Sequence, residues 1–374
     1  MKKFLNSSLI VTREVKMLRI LILGDFFMRK EILRNYLFEY LKEVDDNIDF
    51  RLVEWGSRGY QKGEAEGVGG KIKEFSGDPS DVVKFMEGVN VLVTQVAPVT
   101  AEVMDASDCL KVIGCTRGGP VNVDIMAATQ RGIPVIYTPG RNGDAVADYT
   151  MGLILAETRN IARAHAELKK GIWRDDFYDY ELCGYELAGK TLGIIGFGFV
   201  GRKVALRAKA FGMEILVYDP YIQKEEVAKF DGKLVDLPTL LQNSDFVTIH
   251  ARLTSETEKL IGARELSMMK KTAYIINTAR GKIIDEKALI EALMKKTIAG
   301  AALDVFEDEP ISKENPLLSL DNVTITPHIA GAAKDVVHRA ARMLAEDIMK
   351  VLKGEKPTHC ANPSVLEKNM FQKK

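Results

Sequence analysis

Thr191-Leu192-Gly193-Ile194-Ile195-Gly196-Phe197-Gly198-Phe199-Val200-Gly201 is a short apolar run that ends in G-x-G-x-x-G. Such a glycine hexad is a weak signal alone; its surroundings make it a strong one. A stretch with Val204, Ala208 and Phe211 on one helical face follows and stops at Gly212, and the next apolar run, Ile215-Leu216-Val217-Tyr218, ends in Asp219. Strand, glycine turn, helix and acid-terminated strand come in the order of a dinucleotide-binding βαβ unit. In such a unit Gly196 makes the tight turn, Gly198 lets a pyrophosphate approach the backbone, and Gly201 lets the helix pack on the strand. The helix N-terminus then faces the anion. Asp219 accepts hydrogen bonds from both ribose hydroxyls and repels a 2′-phosphate, which selects NAD over NADP.

Outward from this unit the same alternation continues. Apolar runs at residues 191–196, 215–219, 246–250, 273–278, 298–304 and 323–326 are separated by helical stretches, one of which starts at Asp285 and buries Leu289, Ala292 and Leu293. An earlier array has runs at 18–23, 50–53, 91–94, 112–115 and 135–137, with an amphipathic stretch at 31–42 between the first two. Short apolar runs joined by helices read as parallel strands buried on both faces, so the expected fold is α/β with two doubly wound parallel sheets. Residues 145–170, largely apolar on one side, read as one long stretch between the arrays. Residues 334–353 read as a final helix that stops at Gly354. Punctuation at Gly118-Gly119-Pro120 and from Pro327 to Gly331 suggests two crossovers. The expected division is a discontinuous domain of residues 17–121 and 329–360, a second domain of 122–328, an N-terminal extension of 1–16 and a tail of 361–374. A glycine-rich segment from Gly56 to Gly77 reads as a surface loop.

The 374 residues suffice for two domains at about 150 each. With 46% apolar residues and 28% charged ones the composition is that of a globular protein. The 52 basic and 52 acidic residues give no net charge, which argues against a nucleic-acid partner. No run approaches a membrane span and no clean signal peptide opens the chain, so a cytoplasmic protein off the membrane is expected. Cys109, Cys115, Cys183 and Cys360 form no C-x-x-C pair, which reads as reduced thiols and no metal site.

Ligands of an open parallel sheet bind beyond the carboxyl ends of its strands. Those ends carry His250, Arg280, Asp304 and His328, and Val305-Phe306-Glu307-Asp308-Glu309-Pro310 follows Asp304. A guanidinium, imidazoles and carboxylates at one edge suit redox chemistry on a 2-hydroxy or 2-oxo acid. Its carboxylate needs a planar cation and its hydroxyl proton needs a base of near-neutral pKa. The remaining histidines, His165, His338 and His359, read as structural.

Together with the glycine hexad and Asp219, three further segments carry a resemblance: Asn277-Thr278-Ala279-Arg280-Gly281, Asp304-Val305-Phe306 through Glu309-Pro310, and Thr326-Pro327-His328-Ile329-Ala330-Gly331. In that order they resemble the D-isomer-specific 2-hydroxyacid dehydrogenases, with most likeness to the phosphoglycerate dehydrogenase branch. The likeness runs from about residue 90 to 355. It implies a flavodoxin-like substrate domain beside a Rossmann NAD-binding domain and an Arg280, Glu309 and His328 catalytic triad. It also implies cofactor contacts at Phe199, Val200, Thr278, Ala279, Arg280, Asp304, His328 and Gly331, with Asp304 accepting from the nicotinamide carboxamide. Backbone amides near Gly118 and Gly119, with Arg280, hold the substrate carboxylate, and the protein is a homodimer joined through the NAD-binding domain.

The implied reaction interconverts a small D-2-hydroxy acid and its 2-oxo acid. Arg280 orients the substrate, His328 moves the proton and Glu309 holds His328, its carboxylate favouring a charged imidazole. Thr94-Gln95-Val96-Ala97-Pro98 lacks the arginines of phosphoglycerate-using members, although Arg117 or Arg141 could supply charge from another direction. Arg252 stands where the family's H-x-P-L-T has proline. A C-terminal regulatory domain has no room, so feedback through one is not expected. Two alternatives stay open: a D-3-phosphoglycerate dehydrogenase, and an NADH-sensing, corepressor-like binding protein.

Overall fold

The computed structural model describes residues 17–56 and 72–371. The expected extension at 1–16, most of the glycine-rich segment and the last three residues lie outside the described residues. The chain divides into two compact units, one up to Arg141 and again from Val337 onward, the other from Asn142 to Val336.

In the first unit β1 (Leu18–Gly24), β2 (Ile48–Glu54), β3 (Val91–Thr94), β4 (Val112–Cys115) and β5 (Val135–Tyr137) form a parallel sheet in the order β2-β1-β3-β4-β5. This is the doubly wound order of flavodoxin-like sheets, with the switch point between β1 and β3. β3 and β4 are buried at every position, as the unbroken Val91-Leu92-Val93-Thr94 and Val112-Ile113-Gly114-Cys115 require. One face packs on the amphipathic helices Lys30–Leu41 and Lys334–Lys353 through Leu33, Leu37, Ala340, Leu344 and Ile348. The other face packs on Val82, Met86, Val103 and Ala127.

In the second unit β6 (Thr191–Ile195), β7 (Glu214–Tyr218), β8 (Lys233–Leu234), β9 (Phe246–Ile249), β10 (Tyr274–Asn277), β11 (Gly300–Leu303) and β12 (Val323–Ile325) run in the order β12-β11-β10-β9-β6-β7-β8. Every pairing is parallel, with Leu192 beside both Ile215 and Phe246, so the sheet reverses direction at β6. That is the Rossmann order, and the glycine turn after β6 sits at its switch point.

The division corrects the expected boundaries at 121/122 and 328/329. β5 pairs with β4, so the first sheet extends through residue 137 and the chain leaves that unit only after Arg141. The long stretch 145–170 is two helices, Gly143–Thr158 and Ile161–Leu168, broken where Asn160 takes φ +55°. The expected tail is also part of the fold. Cys360 bridges Ile136, the Asn362 side chain accepts from Val135 N at 2.8 Å, and a helix spans Ser364–Phe371. The two-residue β8 carries no pattern long enough to be read from sequence.

Candidate active site

The glycine turn is built as its sequence implies. Gly196 takes φ +90°, and a Cβ there would stand 2.6 Å from the Ala251 nitrogen. The helix Phe199–Ala210 begins directly after Gly198 with no side-chain cap, so Phe199 and Val200 lie in its first turn. A Cβ on Gly198 would meet nothing within 4 Å, whereas one on Gly201 would stand 2.3 Å from the Gly196 carbonyl oxygen. An uncapped helix start above an open glycine is a cradle that fits a pyrophosphate. Asp219, just past β7, accepts from Phe197 N at 2.8 Å and from Tyr221 N at 2.9 Å, one bond on each oxygen. Each oxygen keeps a lone pair for a ribose hydroxyl. The residues present therefore fit NAD.

The carboxyl ends of β10, β11 and β12 bring three segments together. Past β10, the buried Asn277 braces the turn: its amide donates to the Arg280 carbonyl at 2.9 Å and its Oδ1 accepts from Ala279 N at 3.0 Å. Thr278 lies 3.1 Å from the Thr150 hydroxyl. Arg280 is exposed. The next residue must be glycine, because a Cβ on Gly281 would fall 1.9 Å from the Phe306 carbonyl carbon. The Arg280 turn thus lies directly against the segment that carries Glu309.

Past β12, His328 Nδ1 lies 2.7 Å from Glu309 Oε2. Glu309 Oε1 in turn accepts from Phe306 N at 3.2 Å, which fixes the carboxylate. His328 takes φ +55°, a left-handed conformation that costs a non-glycine residue about 1–3 kcal/mol. Asp304 holds it there. Fully buried at the end of β11, its Oδ1 accepts from Thr326 Oγ1 at 2.6 Å and Ile329 N at 2.9 Å, and its Oδ2 accepts from Ala330 N at 2.8 Å. One carboxylate therefore grips the loop on both sides of the strained histidine.

These bonds take three of the carboxylate's four acceptor positions and leave one on Oδ2. Asp304 has no exposed surface and its bonds go to the His328 loop. Gly331 ends this loop, 3.0 Å from the Asn142 amide were it to carry a Cβ.

His250 ends β9 with Nε2 3.0 Å from the Thr248 hydroxyl. Burial pushes its pKa down to about 3, so it stays neutral and drops out as a proton carrier.

In the first unit Gly118 and Gly119 follow β4 in an open turn, where a Cβ on Gly119 would meet nothing within 4 Å. The structure ties this turn to Thr138, whose amide donates to the Arg117 carbonyl at 2.9 Å.

A glyoxylate reductase of Thermofilum pendens is 46% identical to this chain over 278 residues, 74% of the chain and 81% of that protein. The chain belongs to the D-isomer specific 2-hydroxyacid dehydrogenases. The family's NAD-binding domain model matches residues 151–330. A D-3-phosphoglycerate dehydrogenase of Methanocaldococcus jannaschii is 45% identical over 80% of this chain, and the match spans 56% of that longer relative. A crystal structure of a Thermus thermophilus protein superposes with a TM-score of 0.75 at 32% identity, covering 92% of this chain and all of that one. Among these dehydrogenases the relatives' names divide between unphosphorylated and phosphorylated acids, so the family fixes the reaction class and leaves the acid open.

Proposed function

We propose that this dehydrogenase interconverts a small D-2-hydroxy acid and its 2-oxo acid with NAD. The observation that carries the reading is the 2.7 Å His328–Glu309 pair held on a strained backbone by a buried carboxylate, in the same unit as an open dinucleotide cradle. Bound NAD supplies the hydride acceptor, or NADH the donor. Arg280 presents its guanidinium to the substrate carboxylate and the oxygen undergoing reaction, where a planar cation gives orientation as well as charge. His328 exchanges the proton through Nε2, since Glu309 fixes Nδ1 and with it the ring's orientation. The amides of Gly118 and Gly119 are the carboxylate contacts of the first unit. The Gly196, Gly198 and Gly201 turn with Phe199, Val200 and Asp219 holds the dinucleotide, and Thr278, Ala279 and Gly331 flank it.

The segment 161–185 supports a homodimer through the NAD-binding unit. Trp173 is 77% exposed and Tyr178 95% exposed there, beside Ile161, Leu168 and Tyr180, an apolar surface that a second copy would cover. Free thiols at all four cysteines support a reducing, cytoplasmic setting.

The test is His328→Ala. Turnover falls about 10²–10⁴-fold while NADH affinity, followed by fluorescence, stays near that of the parent. Loss of NADH binding together with turnover would assign His328 to the cofactor site instead. The intact triad residues disfavour the corepressor-like alternative.

A further inference from the structure

Among the described residues the first unit holds a buried guanidinium nitrogen that finds no acceptor. Arg141 lies just beyond β5 at the carboxyl edge of the sheet, and among the described residues its Nη1 is buried with no hydrogen-bond partner. Its backbone is tied into the substrate-side loops: its amide donates to the Thr138 carbonyl at 3.4 Å, and its carbonyl accepts from Arg339 Nη1 at 2.6 Å. The guanidinium is therefore placed by the fold while its charge is left over. Burial, with repulsion from Arg117 and against the pull of Cys115 and Asp25, brings its pKa down to about 10, so at neutral pH it is cationic and desolvated.

Its neighbours lend it some favourable field, from Cys115 and Asp25, but no hydrogen bond at Nη1 among the described residues. Arg117 pairs with Glu74 through Nη2 and gives Nη1 to the Glu74 carbonyl at 2.6 Å. Asp25, past β1 at the same edge, directs its carboxylate to its own loop, accepting from Phe27 N at 2.8 Å and Met28 N at 2.6 Å. Burial also raises its pKa. Cys115 is buried, and burial raises its thiol pKa too, so it brings no negative charge at neutral pH. Among the described residues none of these groups gives Arg141 Nη1 an acceptor, on the edge that carries the open Gly118–Gly119 turn. A buried cation without a partner is costly, and proteins keep such groups where a ligand completes them.

We propose that Arg141 is a specificity-determining residue that binds a second anionic group, carboxylate or phosphate, carried by the 2-oxo acid. This rests on the dehydrogenase reading above and narrows it: in the first unit the glycine amides serve the α-carboxylate and Arg141 serves the second anion. The cation missing from Thr94-Gln95-Val96-Ala97-Pro98 is thereby supplied from the end of β5.

The experiment compares kcat/KM of the full chain with NADH on glyoxylate, which has no second anion, and on 2-oxoglutarate and 3-phosphohydroxypyruvate, which carry a carboxylate and a phosphate. The parent prefers one of the two doubly charged acids over glyoxylate. Arg141→Met lowers that preference ratio about 100-fold, mainly through KM, and Arg141→Lys recovers part of it. Whichever acid wins identifies the anion. A ratio that Arg141→Met leaves unchanged, or a parent that prefers glyoxylate, overturns the proposal and leaves the dehydrogenase standing. Calorimetric titration of the parent and the Met variant with 2-oxoglutarate and with inorganic phosphate tests Arg141 apart from turnover. Binding by the parent that the variant loses supports the site even if no acid is reduced, and no binding by the parent overturns it.

Discussion

Asp304 and Arg141 stand at equivalent places, each beyond the carboxyl end of a parallel strand, yet the fold treats them in opposite ways. Asp304 is fully buried and has three donors from its own loop. Arg141 is buried at Nη1 and, among the described residues, has no hydrogen-bond partner there. A charge bonded three times by its own loop is part of the scaffold, and here it holds the strained His328. The other charge, on the proposal above, takes its acceptor from the substrate. Asp304 is fully buried and Arg141 partly so, and the hydrogen-bond inventory is what separates the two roles.

The largest expected effect tests the scaffold side. Asp304→Ala leaves the Thr326 hydroxyl and two backbone amides without their acceptor and costs about 3 kcal/mol or more of stability by denaturant unfolding. It also lowers kcat, because the left-handed turn at His328 relaxes. If Asp304→Ala unfolds like the parent while losing NADH affinity, Asp304 is a cofactor ligand and the contrast with Arg141 disappears. Arg141→Met goes the other way. Removing an uncompensated buried charge leaves stability equal to the parent's or raises it by about 1 kcal/mol, read as an upward shift in Tm. A clear drop in Tm would mean that Arg141 is structural after all.

An effect that builds up only as pH falls concerns His250, whose folded pKa of about 3 lies below its ordinary 6.5. Only the unfolded chain binds a proton here between those values, so this histidine makes stability fall as pH drops from 6.5 toward 3. The limit is about 1.4 kcal/mol per pH unit. Comparing the pH dependence of Tm for the parent and His250→Gln between about pH 4 and 7 isolates it. The parent shows the steeper loss, and parallel curves would show that His250 is not neutral in the fold.

The two units were unequally legible in the sequence. In the second, Gly196 to Gly201, Asp219 and the runs ending in Arg280, Asp304 and His328 announce themselves, because turn, helix start and strand end each demand particular residues. The sheet order and the His328–Glu309 pair follow that reading. In the first unit the strands were legible, but the boundary was placed too early. The three residues of β5 resemble a linker until β4 pairs with them, and the contacts of Cys360 and Asn362 with that edge span more than two hundred residues of sequence. Asn160 gave no warning that it breaks a helix, since asparagine tolerates a left-handed φ only where packing asks for it. Neither the three loop bonds of Asp304 nor the lack, among the described residues, of an acceptor for Arg141 Nη1 could be read, because both depend on what arrives from elsewhere in the chain.

The most direct test of the central claim is NADH consumption by the purified protein across glyoxylate, hydroxypyruvate, pyruvate, longer 2-oxo acids and 3-phosphohydroxypyruvate, repeated with NADPH. The account predicts at least one acid with kcat/KM of about 10⁴ M⁻¹s⁻¹ or above, and a preference for NADH set by Asp219. Tight NADH binding with no acid reduced would contradict it and bring the NADH-sensing alternative forward.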